Sequence, residues 1–142
     1  LEQFDAQSAN EVVSGFGAGW NELEHKPETG ALWRWTTDAS TLRVHSAGRS
    51  LVLLLRGESP LRYFPKPSRL LVRAGQTILF DEKMSEDFSL VIPVDADQLG
   101  GPDASITIET DQVFMPASRS RRSQDHRTLG LRLFECVVRP AS

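Results

Sequence analysis

Ser50-Leu51-Val52-Leu53-Leu54-Leu55-Arg56, bounded by Gly48 and Gly57, is a short and almost purely apolar run between two glycines. A run of this length with turn residues at both ends suits a β-strand covered on both faces. The same signal repeats on either side of it. Upstream, 31–37 is rich in Trp and Thr, and 41–45 alternates Leu42 and Val44 with Thr, Arg and His. Downstream, 69–73 and 77–80 flank Ala74-Gly75, the pattern of a hairpin with glycine at its turn. Residues 87–94 turn Phe88, Leu90 and Ile92 to one side, and 105–110 alternate Ile106 and Ile108 with Thr107 and Glu109. The last stretch, 129–138, places Leu129, Leu131 and Leu133 on one face and Phe134, Cys136 and Val138 on the other. A β-bulge near Leu133 would explain that change of phase.

These segments amount to about eight strands with turn signals between them and no helical crossovers. The expected fold is all-β: an antiparallel β-sandwich of the jelly-roll, galactose-binding-like kind. Pro60, Pro65 and Pro67 break any strand between Glu58 and Ser68, leaving a loop crowned by Tyr63 and Phe64. Residues 1–18 read as a tail or a strand leading into the domain, with a short helix able to start over 7–12. Residues 19–140 form the domain itself.

The chain has 142 residues, which argues for one domain burying roughly 70% of its unfolded surface. Its longest apolar run is far too short to span a membrane. One cysteine, Cys136, rules out a disulfide within the chain and reads as a buried inert thiol. The net charge of −3 argues against general nucleic-acid binding. That modest sum hides four blocks: −5 over 1–30, +6 over 31–80, −8 over 81–111 and +4 over 112–142. Neutralisation between neighbouring strands is the plain reading of such blocks, and a charged partner surface is the alternative. The chain opens on Leu1, with no Met and no signal-peptide pattern, which leads one to expect a piece of something longer.

Catalytic signatures are missing. No nucleophile elbow, no zinc-protease helix and no glycine-rich phosphate loop occurs, so the expectation is a protein that is not an enzyme. A hydrolase using Glu22 or Glu24 with Asp125 as acid and base is the weakest reading weighed. Asp95, Asp97, Asp103 and Asp111 lie around Gly100-Gly101-Pro102 and would offer oxygen ligands to a structural calcium, although the spacing is not that of an EF-hand. No cofactor and no other metal is expected. The aromatic residues carry more. Trp33 and Trp35 share one strand face, with Arg34 opposite, and Trp20 precedes Glu22 and Glu24. A tryptophan face flanked by carboxylates and guanidinium groups suits a sugar, and core packing is the competing role. Arg34 with Asp125 and Arg127 would either brace a loop or line a polar cleft.

Gly19-Trp20-Asn21-Glu22-Leu23-Glu24, Trp33-Arg34-Trp35-Thr36, Phe114-Met115-Pro116 and Asp125-His126-Arg127-Thr128-Leu129-Gly130 together resemble a β-sandwich module found at the ends of bacterial membrane glycosyltransferases and related polysaccharide-biosynthesis proteins. The resemblance runs from about Phe16 to Val138. It implies a fold similar to carbohydrate-binding modules, no catalytic machinery and an extracytoplasmic location. The ligand-binding residues expected on these combined grounds are Trp20, Glu24, Arg34, Asp125 and Arg127. The partner would be a carbohydrate or, for a purely docking domain, the parent polypeptide. Two departures stand out. Asn21 occupies a position where that pattern favours an aromatic residue, and 118–124 is unusually basic, fit to meet an anionic glycan, a phosphorylated lipid carrier or a membrane surface.

Overall fold

The computed structural model describes residues 12–119 and 123–141. The helix expected over 7–12 and the arginines at 121 and 122 therefore lie outside the described residues, Val12 excepted. Two antiparallel sheets of five strands make up the fold. The first runs in the order β1 (Val13–Phe16), β4 (Ala39–His45), β9 (Asp103–Thr110), β6 (Ser68–Ala74), β7 (Thr77–Met84). The second runs β2 (Glu24–Lys26), β3 (Ala31–Trp35), β10 (Arg132–Pro140), β5 (Leu51–Glu58), β8 (Phe88–Val94). Single helical turns, α1 (Ala96–Leu99) and α2 (Pro116–Arg119), and a 3-10 turn at Leu61–Tyr63 lie in the connections.

All eight expected strands form, and of the two beyond them β1 lies in the stretch read as a tail or an entry strand, while β2 was not expected. Both additions lack an apolar alternation of useful length. β1 is Val-Ser-Gly-Phe, and β2 is Glu24-His25-Lys26, held by pairing with β3. The Ala74–Thr77 hairpin closes as expected, with Gly75 at φ 58° in the left-handed region that a two-residue loop needs.

The core lies between the sheets. Leu42, Val44, Ile106, Ile108, Leu70 and Val72 of the first sheet meet Leu51, Leu53, Leu55, Phe88, Ile92 and Val94 of the second. Each such side chain contributes about 1.5–3 kcal/mol of burial free energy. β5 departs from the expectation of cover on both faces. Leu51, Leu53 and Leu55 are buried, but Val52 and Leu54 are only half-buried on the outer face. Neighbouring strands flank them there, and no second layer covers them among the described residues: Val137, Leu54 and Val91 stand side by side in register.

The bulge falls where the change of phase placed it. Leu133 pairs with Gly57 and Glu135 with Arg56, leaving Phe134 as the extra residue. The bulge does more than explain a switch of faces. It returns Cys136 and Val138 to the same core that holds Leu131 and Leu133. Leu129 is a correction: it belongs to a second cluster with Trp35, Phe64 and Phe114. That cluster also places Tyr63 and Phe64, the residues at the crown of the proline-rich loop. Phe64 is buried, and Tyr63 stacks on Phe114 at 4.1 Å. The loops after β5 and β9 fold over the outer face of β3 and close on Trp35.

Gly57 sits opposite the bulge with no room for a methyl group. A Cβ there would lie 2.5 Å from the carbonyl oxygen of Arg132 and 2.8 Å from a Leu133 methyl. Gly57→Ala is expected to cost about 1–3 kcal/mol through overpacking. Urea unfolding checks it: the midpoint should fall while the m-value stays constant.

Candidate functional site

Arg127 anchors the first group of candidate residues. Its Nε and Nη2 donate to the two carboxylate oxygens of Asp125 at 2.9 and 2.7 Å, and its Nη1 donates to Glu24 Oε2 at 2.8 Å. The fork geometry of the guanidinium suits this bidentate pairing. It ties the 125–128 segment onto β2. The Arg127 side-chain hydrogen bond, working against partial desolvation, holds the Asp125 carboxyl below the usual carboxylate range. The hydrogen bonds that Arg127 donates to Asp125 and then to Glu24 raise it still further above its ordinary value.

Trp20 and Arg34 stand apart from that group. Arg34 pairs in register with Leu133 and therefore points to the inner side of the second sheet, opposite Trp33 and Trp35. Its guanidinium lies 4.2 Å from the Phe16 ring centroid, and its Nη1 donates to the Asn21 carbonyl at 3.0 Å. Trp20 is half-buried. Its indole N–H donates to the Thr41 carbonyl at 2.9 Å, and its ring meets Phe16 edge-on at 4.8 Å. The sequence expectation of one constellation joining Arg34, Asp125 and Arg127 is thus corrected: the pleat sends Arg34 to the other side of the sheet.

Asn21 connects the two groups, and sequence reasoning missed it. Its carbonyl accepts from Arg34, while its side-chain amide donates to the Thr128 carbonyl at 3.0 Å, next to Arg127. The signal was present in the sequence: an amide with both donors and an acceptor occupied the place of an expected aromatic.

A cleft of about 170 Å³ opens where β3 and β10 part. Their ladder consists of Trp35 with Arg132 and Arg34 with Leu133. Past that point the bulge begins: Phe16 and Trp20 line the cleft beside Arg34 on the inner side, Trp33, Phe134 and Glu135 border it from the outer side, and Leu23, Leu133 and Cys136 complete the lining. A wider depression of about 340 Å³ on the first sheet, between Arg43 and Asp103, has no aromatic wall. On the outer face Arg132 lies 5.5 Å from the Trp33 ring, 5.9 Å from Trp35 and 5.2 Å from Phe134, and pairs with Glu58 at 2.6 Å. Arg132, not Arg34, is therefore the cation over the tryptophan pair. Trp35 is buried and Trp33 half-buried.

Compared with family models, curated proteins and solved structures, the chain matches none.

The acidic residues around Gly100 serve separate tasks. Asp95 caps α1 in a capping box, Asp103 pairs with His45 at 2.7 Å, and Asp111 accepts from the Arg69 backbone N–H at 2.8 Å. Among the described residues, no three His, Cys, Asp or Glu side chains gather closely enough to hold a metal ion. Glu22 is exposed. Burial pushes the Cys136 thiol up to about 12, with nearby Arg34 only partly opposing it. The thiolate population at neutral pH is therefore negligible.

Two outcomes follow from these environments. Because Asp125 ionises more readily when folded, its contribution is complete above about pH 4 and disappears as the pH falls through its lowered folded value. Asp125→Asn should cost about 1 kcal/mol at neutral pH, as befits a pair roughly one-third exposed, and progressively less as the pH falls through the lowered folded value. Unfolding titrations across that pH range check it. The Cys136 thiol should resist a disulfide reagent in the native protein and react promptly in denaturant, as followed by absorbance.

Proposed function

We propose that this chain is a non-catalytic, carbohydrate-binding-like accessory module of a glycan-synthesis or glycan-processing protein, built as a jelly roll and acting at an extracytoplasmic surface. The observation that carries the reading is the cleft between β3 and β10, whose lining combines the aromatic residues Trp20, Trp33 and Phe134 with the guanidinium of Arg34 and the carboxylate of Glu135. Aromatic faces cover the C–H side of a sugar ring, and charged groups at their edges take its hydroxyls. The jelly-roll assignment draws on the strand order. Omitting β1 and β2, the sequence interleaves as β4-β9-β6-β7 against β3-β10-β5-β8, and every connection except the β6–β7 hairpin crosses between sheets.

The non-catalytic reading draws support from the state of the carboxylates. Glu24 and Asp125 both bind the one guanidinium of Arg127. A general acid needs a raised pKa, and that of Asp125 is lowered. Glu24, Asp125 and Arg127 thus hold the wall of the site, through Asn21 and Trp33, and do not act on a ligand's bonds.

A second reading, a docking domain packed on its parent polypeptide, is favoured by one feature. Val137, Leu54 and Val91 form an apolar row on the outer face of the second sheet, with Val91 69% exposed.

Calorimetry against neutral and acidic oligosaccharides, guided by a glycan array, separates the two. The module reading expects binding that Trp33→Ala weakens at least about tenfold, equivalent to about 1.4 kcal/mol, in protein that circular dichroism shows to be folded. Silence across the whole array would end it in favour of docking.

A further inference from the structure

We propose that the cleft between β3 and β10 recognises acidic sugars, with the ligand's carboxylate held by Arg34. This rests on the module reading above and names its ligand class. Arg34 lies among aromatic side chains and makes no ion pair among the described residues. Its one hydrogen bond there goes from Nη1 to the Asn21 carbonyl, which fixes the plane of the guanidinium. The Phe16 ring covers one face at 4.2 Å. What remains is the side edge, Nε with Nη2, and Nε is buried without an acceptor. A buried donor on a cation without a counter-charge is costly to leave unmet. The Nε/Nη2 edge of an arginine is also the edge that takes a carboxylate through two parallel bonds.

The remaining lining selects among carboxylates. Glu135 borders the same cleft and makes no ion pair with Arg34. Its charge opposes a ligand that is anionic at that end, and it accepts hydrogen bonds from hydroxyl groups. Trp33 and Phe134 offer flat apolar surface beside it. A ring bearing a carboxylate at one end and hydroxyls at the other satisfies Arg34, Glu135 and the aromatic walls together. A hexuronic acid has that pattern; a neutral hexose leaves Arg34 unmet.

Calorimetry with the galacturonic acid trimer, its methyl ester and the neutral galactose trimer tests this on the unmodified protein. The free acid should bind at least about tenfold more tightly than either neutral form, about the worth of one charge-assisted pair. Arg34→Lys, which keeps the charge and removes the two-pronged edge, should reduce that preference to less than about threefold. Arg139→Gln, exposed at the end of β10, should leave it intact. Equal affinity for acid and ester overturns the inference while the module reading stands, and so does an acid preference that survives in Arg34→Lys. If no trimer binds and the neutral glycans of the array are silent as well, both fail together. Should Arg34→Lys not fold, the comparison of acid with ester still decides.

Discussion

One extra residue in β10 governs the arrangement of the second sheet. Side chains on a strand alternate strictly, so without Phe134 as a bulge either Leu131 and Leu133 or Cys136 and Val138 would face outward. With it, both halves of the strand supply the core. The same insertion coincides with the end of the ladder between β3 and β10, and the cleft lies at that point. Gly57 is the complement of the bulge, since any side chain opposite would meet the Arg132 carbonyl. Core, cleft and glycine are thus one solution to a problem of register.

The two sheets present different exteriors. On the first, cross-strand ion pairs dominate: Arg69 with Asp81, Arg73 with Glu109, Lys83 with Asp111 and His45 with Asp103. Most of these join the basic block at 31–80 to the acidic block at 81–111, and Arg127 with Glu24 joins the other two. Among the described residues, these pairs join the blocks across strands at a few positions. The second sheet instead carries Trp33, Phe134, Leu54, Val91 and Val137, with Arg132 and Arg56 set against the aromatic rings.

Strands were legible in the sequence wherever alternation, a Trp- and Thr-rich run or an unbroken apolar run lay between turn residues, signals that β1 and β2 lack. The bulge was legible because it leaves a phase error in an otherwise regular pattern. What covers an outward face was not legible. Alternation placed Trp33 and Trp35 on one side, but only the folded loops carrying Phe64, Phe114 and Leu129 decide that Trp35 is buried. The candidate site was legible in its residue types and illegible in its grouping. Asp125 and Arg127 are neighbours in sequence, and their pairing was readable. Arg34 belongs elsewhere because its register partner is Leu133, a long-range fact no local spacing contains. Asn21 looked like a loss, and its role depends on a contact with Thr128 more than a hundred residues away.

Pro93 lies in β8, a strand at the margin of the second sheet. Proline offers no backbone donor, so a strand arriving at that margin meets a gap in the ladder it would need to extend. At the margin of the first sheet, β7 exposes Asp81, Glu82 and Lys83 in succession. The opposite margins, β1 and β2, are only four and three residues long. The borders of the sandwich therefore resist zipping onto a second copy by three means: a proline, a run of charge and short length. The apolar outer face of the second sheet can stay available for recognition without the molecule polymerising through its edges.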